Sequence, residues 1–77
     1  MWEYYKNLNG NSSVRKYMIL QDEIIVEFSD GKQYFYKKND VGILNFNSMV
    51  SCAKAGRGLG SLINSTPEIR NGYYKHT

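Results

Sequence analysis

The alternation of apolar and polar residues in the first half of the chain predicts three antiparallel strands. Residues 13–20 give a first strand with an imperfect period, and residues 23–28 and 32–37 give two more that are rich in β-branched and aromatic side chains. Residues 21–22 mark a tight reversal. Residues 29–31 mark a second one, because an Asp-Gly pair between apolar runs is a strong hairpin signal.

The length of the second loop decides which way Tyr34 and Tyr36 point. A two-residue loop puts both tyrosines on the face opposite Val26 and Phe28. A three-residue loop, with Gly31 in the left-handed bulge position, puts them on the same face. We favour the three-residue loop because it gathers the larger apolar set on one side. Both rings are then half in the core, with their phenol tips at the rim of the sheet.

Apolar residues at helical spacing predict that helices follow the strands. Asn39 or Asp40 caps a helix that ends at Gly56. Ser61 caps a short helix, and residues 66–68 begin another one with a proline at its first position. The stripe of the first helix that we expect to face the sheet consists of Ile43, Phe46, Met49, Val50 and Ala53.

These elements predict an α+β fold, in which a small three-stranded antiparallel sheet is followed by helices packed on one face (β-β-β-α-α). Residues 1–11 form an aromatic N-terminal leader, and residues 12–77 form a single domain. We expect the tail, residues 73–77, to be frayed unless it docks.

A second apolar arc on the first helix suggests a contact surface. A helix that is apolar on two sides must bury both of them. The leader or a second subunit could cover this arc, which motivates a homodimer as a hypothesis. The candidate interface residues are Trp2, Tyr5, Leu44 and Cys52.

Five short segments follow one another in an order that is typical of one family. They are Ser12-Ser13-Val14, the alternating strand that ends at Phe28, Gly31 with Tyr34-Phe35-Tyr36, residues 53–58, and Ile63-Asn64. Over residues 12–66 the chain thereby resembles the KTSC domain, which occurs at the C-terminus of some lysyl-tRNA synthetases and as a free-standing bacterial or phage protein. The resemblance implies RNA binding as a proposal prompted by the synthetase context. Two features depart from the family pattern: the leader, and Gly58-Leu59-Gly60 where the family has an aromatic pair.

Length and composition argue against an enzyme. A globular chain of 77 residues, 42% hydrophobic and 22% charged, buries only about 60% of its unfolded surface and has little room for a catalytic cavity. A single cysteine, Cys52, excludes an internal disulfide and a multi-cysteine zinc site, and the single histidine, His76, has no partner in sequence. We therefore predict a non-enzymatic protein without metal or cofactor. No apolar run is long enough to span a membrane, and a reducing cytoplasm is the expected location.

The charge balance and the tyrosines suggest a ligand. Ten Lys and Arg against seven Asp and Glu give a net charge of +3, and seven residues are tyrosines. Tyr34 and Tyr36 are followed by Lys37 and Lys38. Aromatic rings on a sheet stack bases, and neighbouring lysines neutralise phosphates. In the alternative interpretation both rings close the core beneath the helix and the lysines are solvated.

The glycine-rich segment 56–61 is a second candidate. Its alternating glycines let backbone N–H groups converge on an anion, and Arg57 can bind phosphate through two N–H groups. The segment matches neither a Walker A loop nor a dinucleotide fingerprint. The alternative interpretation, which we favour, is that the segment ends a helix and forms a flexible turn.

The leading hypothesis is a small binding module that contacts RNA or another phosphate-bearing nucleotide. The predicted binding residues are Tyr34, Tyr36, Lys37, Lys38, Arg57, Gly58, Gly60 and Ser61. Two alternatives are a phage or mobile-element protein that inhibits a host protein by binding it, and a homo-oligomer that sequesters nucleotide signals between subunits. The leading hypothesis requires that the tyrosines and the glycine-rich segment share one positively charged edge.

Overall fold

The computed structural model describes all residues, 1–77. One five-stranded antiparallel sheet has the order β1-β2-β3-β4-β5, so each strand pairs with the next one along the chain. The strands are β1 (Glu3–Tyr4), β2 (Val14–Ile19), β3 (Glu23–Phe28), β4 (Gln33–Lys37) and β5 (Tyr73–His76). Between β4 and β5 lie α1 (Lys38–Val41), α2 (Ile43–Ala55), α3 (Leu59–Ser65) and α4 (Pro67–Arg70). None of these helices has the length and apolar character needed to cross a bilayer.

The prediction of a three-stranded sheet followed by two helices is wrong, although the structure is α+β. The two additional strands come from segments that we expected to lie outside the sheet. Within residues 1–11, β1 pairs with β2, and within residues 73–77, β5 pairs with β4. A strand of two residues is too short to show a period. The tail does not alternate between apolar and polar residues, and its pairing partner lies far away in sequence. The tail docks on β4, which is the condition under which we did not expect it to be frayed.

The second hairpin has the three-residue loop that the sequence favours. The amide of Phe28 donates to the carbonyl of Lys32 at 2.9 Å, which closes the hairpin around residues 29–31. Gly31 adopts a φ of +87°, a left-handed conformation that glycine reaches without steric cost. The register consequently turns Tyr34 and Tyr36 toward the helices, as predicted.

The predicted first helix is interrupted at Gly42. This residue has φ +94° and ψ 147°, which separates α1 from α2. The first of these helices begins directly after Lys37, so neither Asn39 nor Asp40 is its cap. Helical periodicity does not reveal the interruption, because the apolar pattern continues across the glycine.

The later helix boundaries follow the sequence in part. Helix α2 ends at Gly56, and α4 begins at Pro67 after Thr66, as predicted. Helix α3 begins earlier than expected, with Gly58 rather than Ser61 in the capping position. Ser61 therefore lies inside the helix.

The core lies between the helices and one face of the sheet. Phe46, Met49 and Ala53 from the predicted stripe are buried, but Ile43 is 60% exposed, against the prediction. Leu44 is 79% exposed. The interruption before α2 turns its first residues away from the sheet. The core cluster consists of Tyr5, Val14, Tyr17, Ile24, Val26, Tyr36, Val41, Phe46, Met49, Ala53, Leu59, Ile63 and Ile69.

Candidate functional site

The two predicted tyrosines line a cavity on the helix side of the sheet. The cavity has a volume of about 490 Å³ and lies between the β3–β4 hairpin, helix α3 and the end of α4. Tyr34 and Tyr36 form its wall together with Phe28, Arg70 and Tyr73. We call this space the tyrosine cavity.

The rings of the tyrosine cavity are packed edge to face. The centroid of Tyr34 lies 5.6 Å from that of Phe28 and 4.9 Å from that of Tyr73, with nearly perpendicular planes. His76 stacks on Tyr34 at 5.5 Å. Tyr36 is only 2% exposed, and its burial raises the pKa of its phenol, with smaller contributions from Tyr34 and Tyr73. Tyr36 is thus a core residue that also borders the cavity.

The predicted glycine-rich residues line a neighbouring cavity of about 220 Å³, named the amide cavity below. Its wall includes Arg57, Gly58, Gly60 and Ser61, opposite asparagine side chains of residues 7–11. Ser13 and Asn64 belong to the walls of both cavities. The tyrosines and the glycine-rich segment therefore border two adjacent cavities with a shared wall, and we call the two cavities together the groove.

The two predicted lysines lie elsewhere. Lys37 follows Tyr36 in β4 and points to the other face of the sheet, because successive side chains of a strand alternate. The Nζ atom of Lys38 lies 3.4 Å from a carboxylate oxygen of Asp22 and 5.2 Å from the ring centroid of Phe46. The predicted rim of tyrosines and lysines does not form. The cations that border the groove are arginines instead.

The four candidate interface residues do not form one surface. Trp2 lies on the sheet face that carries no helix. Tyr5 is 6% exposed, and its hydroxyl accepts a hydrogen bond from the Leu59 amide at 3.2 Å, so it belongs to the core. Leu44 is exposed on α2, whereas Cys52 is half-buried there.

The sheet face turned away from the helices, named the open face below, carries aromatic and basic side chains together. Its register places Tyr4 opposite Lys16 and Phe35 opposite Lys75. Ile25 is buried at its centre between flanking side chains. The aromatic residues of the open face are Trp2, Tyr4, Phe35 and Tyr74, and its cations are Arg15, Lys16, Lys37 and Lys75.

Three of these rings each hold a lysine ammonium group. The distances from Nζ to the ring centroid are 5.0 Å for Lys16 and Trp2, 4.5 Å for Lys37 and Tyr74, and 5.0 Å for Lys75 and Phe35. All three are within the range of cation–π attraction. The open face thus pairs a flat ring with a positive charge at three places.

A buried carboxylate near the middle of the open face is fully paired. Glu27 is 6% exposed, and its Oε1 accepts a hydrogen bond from Gln33 Nε2 at 2.8 Å. Arg15 and Lys16 lie 3.7 and 3.9 Å from its Oε2. This carboxylate joins β2 to β4 across β3 and holds two of the cations in place.

The second carboxylate of this face, Glu23, accepts a hydrogen bond from the hydroxyl of Tyr74. This hydrogen bond is the main reason why the pKa of Tyr74 is raised. The open face therefore has a net positive charge, with four cations against two carboxylates, and Arg15 and Lys16 are the cations paired with Glu27.

Of the open-face residues, the sequence predicted Lys37 as a binding residue and Trp2 as an interface residue. Trp2 and Tyr4 lie in the leader, and Tyr74 and Lys75 lie in the tail, where no strand was expected. The available signal was the clustering of aromatic and basic residues at the two ends of the chain.

Comparisons of the chain with protein-family models, with curated proteins and with solved structures found no match. The resemblance to the KTSC domain stays a prediction. No three His, Cys, Asp or Glu side chains come together in an arrangement that could hold a metal ion. The fold and its surfaces define a small α+β protein with one helix-covered and one open sheet face.

Proposed function

We propose that this protein is a non-enzymatic binding module for single-stranded nucleic acid, and that the open face is its binding surface. The observation that carries the proposal is that three aromatic rings of this face each lie within 5.0 Å of a lysine ammonium group. The proposed setting is the cytoplasm, where the single cysteine stays reduced.

The chemistry of the two partners is complementary. Any base can stack on an aromatic ring, so aromatic platforms bind single strands with little regard to sequence. A lysine beside the ring can neutralise the phosphate that follows the stacked base. Duplexes keep their bases stacked inside, and we expect them to bind more weakly than single strands.

The dimensions of the sheet suit a short strand. Four inter-strand spacings separate β1 from β5, which gives about 19 Å across the face. One pair of rings, Trp2 and Tyr4, lies at the β1 edge, and the other, Phe35 and Tyr74, lies at the β4–β5 edge. A bound strand can therefore engage rings at both edges while it crosses the apolar centre around Ile25.

Fluorescence anisotropy with labelled twelve-nucleotide RNA and DNA, single-stranded and duplex, tests this function. With about four phosphate contacts, the binding constant of the single strands should fall with a log–log salt slope of about −3. The double variant Lys37→Ala/Lys75→Ala should bind about tenfold more weakly and lose about one to two units of that slope. The control Lys6→Ala/Lys54→Ala removes the same charge outside the open face and should have a much smaller effect.

A separate variant tests the contribution of base stacking to binding. Tyr4 is 73% exposed, so Tyr4→Ala should leave the fold intact and weaken binding about tenfold, since one stacked base contributes about 1–3 kcal/mol. Two results would overturn the proposal: no binding of any single strand at 50 mM salt, or an equal loss in the Lys6→Ala/Lys54→Ala control.

A further inference from the structure

On the helix side of the sheet, we infer that the groove formed by the tyrosine cavity and the amide cavity binds a single nucleotide unit. The base would occupy the tyrosine cavity, and the phosphate would lie toward Arg57 in the amide cavity. This site lies on the opposite side of the sheet from the open face, and it does not depend on the function proposed for that face.

The tyrosine cavity has the size and walls of a small-molecule site. Its volume of about 490 Å³ falls within the range of about 300–1,000 Å³ that is usual for such sites. The cluster of Phe28, Tyr34 and Tyr73 is fixed by edge-to-face packing, and Ile63 adds an aliphatic wall. A planar aromatic ligand is the class that such walls favour.

The polar groups of the tyrosine cavity match the edge of a base. Asp30 accepts a hydrogen bond from the Lys32 amide through Oδ1 at 3.0 Å, which positions its carboxylate and leaves Oδ2 for a ligand. Such an oxygen accepts from the exocyclic amine of adenine, cytosine or guanine. Arg70 is anchored in the wall, because its Nη1 donates to the Asn64 carbonyl at 3.0 Å.

The wall of the amide cavity has a net positive charge. Arg57 is the only charged residue in its wall, and the other polar groups there are amides and hydroxyls. Part of this wall is held by hydrogen bonds: Asn7 Oδ1 accepts from the Ser12 amide at 3.1 Å, and Ser12 Oγ accepts from the Val14 amide at 3.1 Å. A pre-organised neutral wall with one guanidinium suits an anion such as phosphate.

The two cavities together select for a ligand that is aromatic at one end and anionic at the other. Asp30 borders only the tyrosine cavity and Arg57 only the amide cavity, while Ser13 and Asn64 border both. The net charge of the wall therefore changes from neutral in the tyrosine cavity, where Arg70 offsets Asp30, to positive in the amide cavity. A nucleotide matches this order, because its amine-bearing base is neutral and its phosphate is negative.

Isothermal titration calorimetry with the four ribonucleoside monophosphates, adenosine and inorganic phosphate tests the inference. We expect the monophosphates to bind more tightly than adenosine or phosphate alone. Arg57→Gln should weaken binding of the monophosphates five- to tenfold and leave adenosine unchanged. Asp30→Asn should shift the preference from AMP and CMP toward UMP, because its amide can donate where the carboxylate only accepts.

Two further experiments are needed. One distinguishes a strand end from a free nucleotide as the ligand, and the other distinguishes the groove from the open face as the site. An oligonucleotide with a 5′-phosphate that competes with AMP indicates a strand end, and a lack of competition indicates a free nucleotide. Lys37→Ala/Lys75→Ala, which changes the open face, should leave AMP binding unchanged. Folding of each variant is checked by circular dichroism. No heat of binding with any nucleotide at millimolar concentration, or equal binding to Arg57→Gln and the native chain, would overturn the inference.

Discussion

Tyr36 combines two roles that the sequence presented as alternatives. Its ring belongs to the core beneath the helices, and it also borders the tyrosine cavity. Burial raises the pKa of its phenol above the ordinary value of 10.0. Its neutral form is therefore favoured in the folded state relative to the unfolded chain.

This shift predicts a loss of stability in alkaline solution. Stability contributed by the raised pKa is present below pH 10.0 and declines as the pH rises past this value, because the unfolded chain releases the proton first. The slope from this one group is at most about 1.4 kcal/mol per pH unit. Urea unfolding from pH 8 to 11 should show a shallower decline for Tyr36→Phe than for the native chain, with the two proteins within about 1 kcal/mol at pH 8. Parallel profiles would contradict this origin.

At the scale of the elements, Gly42 has a defined structural role between α1 and α2. Its φ of +94° and ψ of 147° belong to a region that is nearly restricted to glycine. A Cβ atom at this position would meet nothing within 4 Å, so the cost of a substitution comes from the backbone alone.

Gly42→Ala should therefore lower the free energy of unfolding by about 1–3 kcal/mol. Chemical denaturation monitored by circular dichroism measures the change. Asn47→Ala is the control, since this residue is exposed on α2 and alanine favours a helix there. If Gly42→Ala were as stable as the control, the backbone between the two helices would have to differ from the one described.

The elements that were predicted correctly are those whose signals lie in neighbouring residues of the sequence. The Asp-Gly pair and the alternation in β3 placed the second hairpin and its register, and with them the direction of Tyr34 and Tyr36. Local patterns do not encode β5, whose partner β4 lies on the other side of four helices. Nor do they encode the interruption at Gly42, which depends on how the chain turns after the sheet.

The same distinction between local patterns and long-range pairing decides how much of the candidate sites could be predicted. The groove could be anticipated in part, because Tyr34 and Arg57 belong to elements that were located correctly. The open face could not be anticipated, because it depends on pairing of the leader and the tail with the central strands. Lys37 was noticed for its position next to Tyr36, yet strand alternation separates the two side chains onto opposite faces.

At the scale of the whole molecule, β5 completes the sheet and shields the edge of β4. Thr77 and Gln33 are joined by two hydrogen bonds of 2.9 Å, and Tyr73 packs on Tyr34. Removal of residues 73–77 should lower the free energy of unfolding by about 2–4 kcal/mol, because it removes aromatic contacts and strand pairing together. Urea denaturation measures this loss.

The same truncation should also promote association. An unpaired edge strand with aromatic side chains is a template for other chains, so light scattering should increase with protein concentration. Thr77→Ala, which removes only one side-chain hydrogen bond, is the control and should cost less than about 1 kcal/mol. A truncated chain as stable and as monodisperse as the control would show that β5 contributes nothing to the fold.

Strand β5 is a shared wall between two otherwise separate surfaces. Tyr73 belongs to the groove, whereas Tyr74 and Lys75 belong to the open face. Strand β5 ends next to the last residue of the chain, and terminal segments are among those that open first in native proteins. A ligand on either side that holds β5 closed lowers the cost of ordering the strand for a ligand on the other side, and this linkage is reciprocal. For the two ligands proposed above, this linkage predicts positive cooperativity without rearrangement of the core.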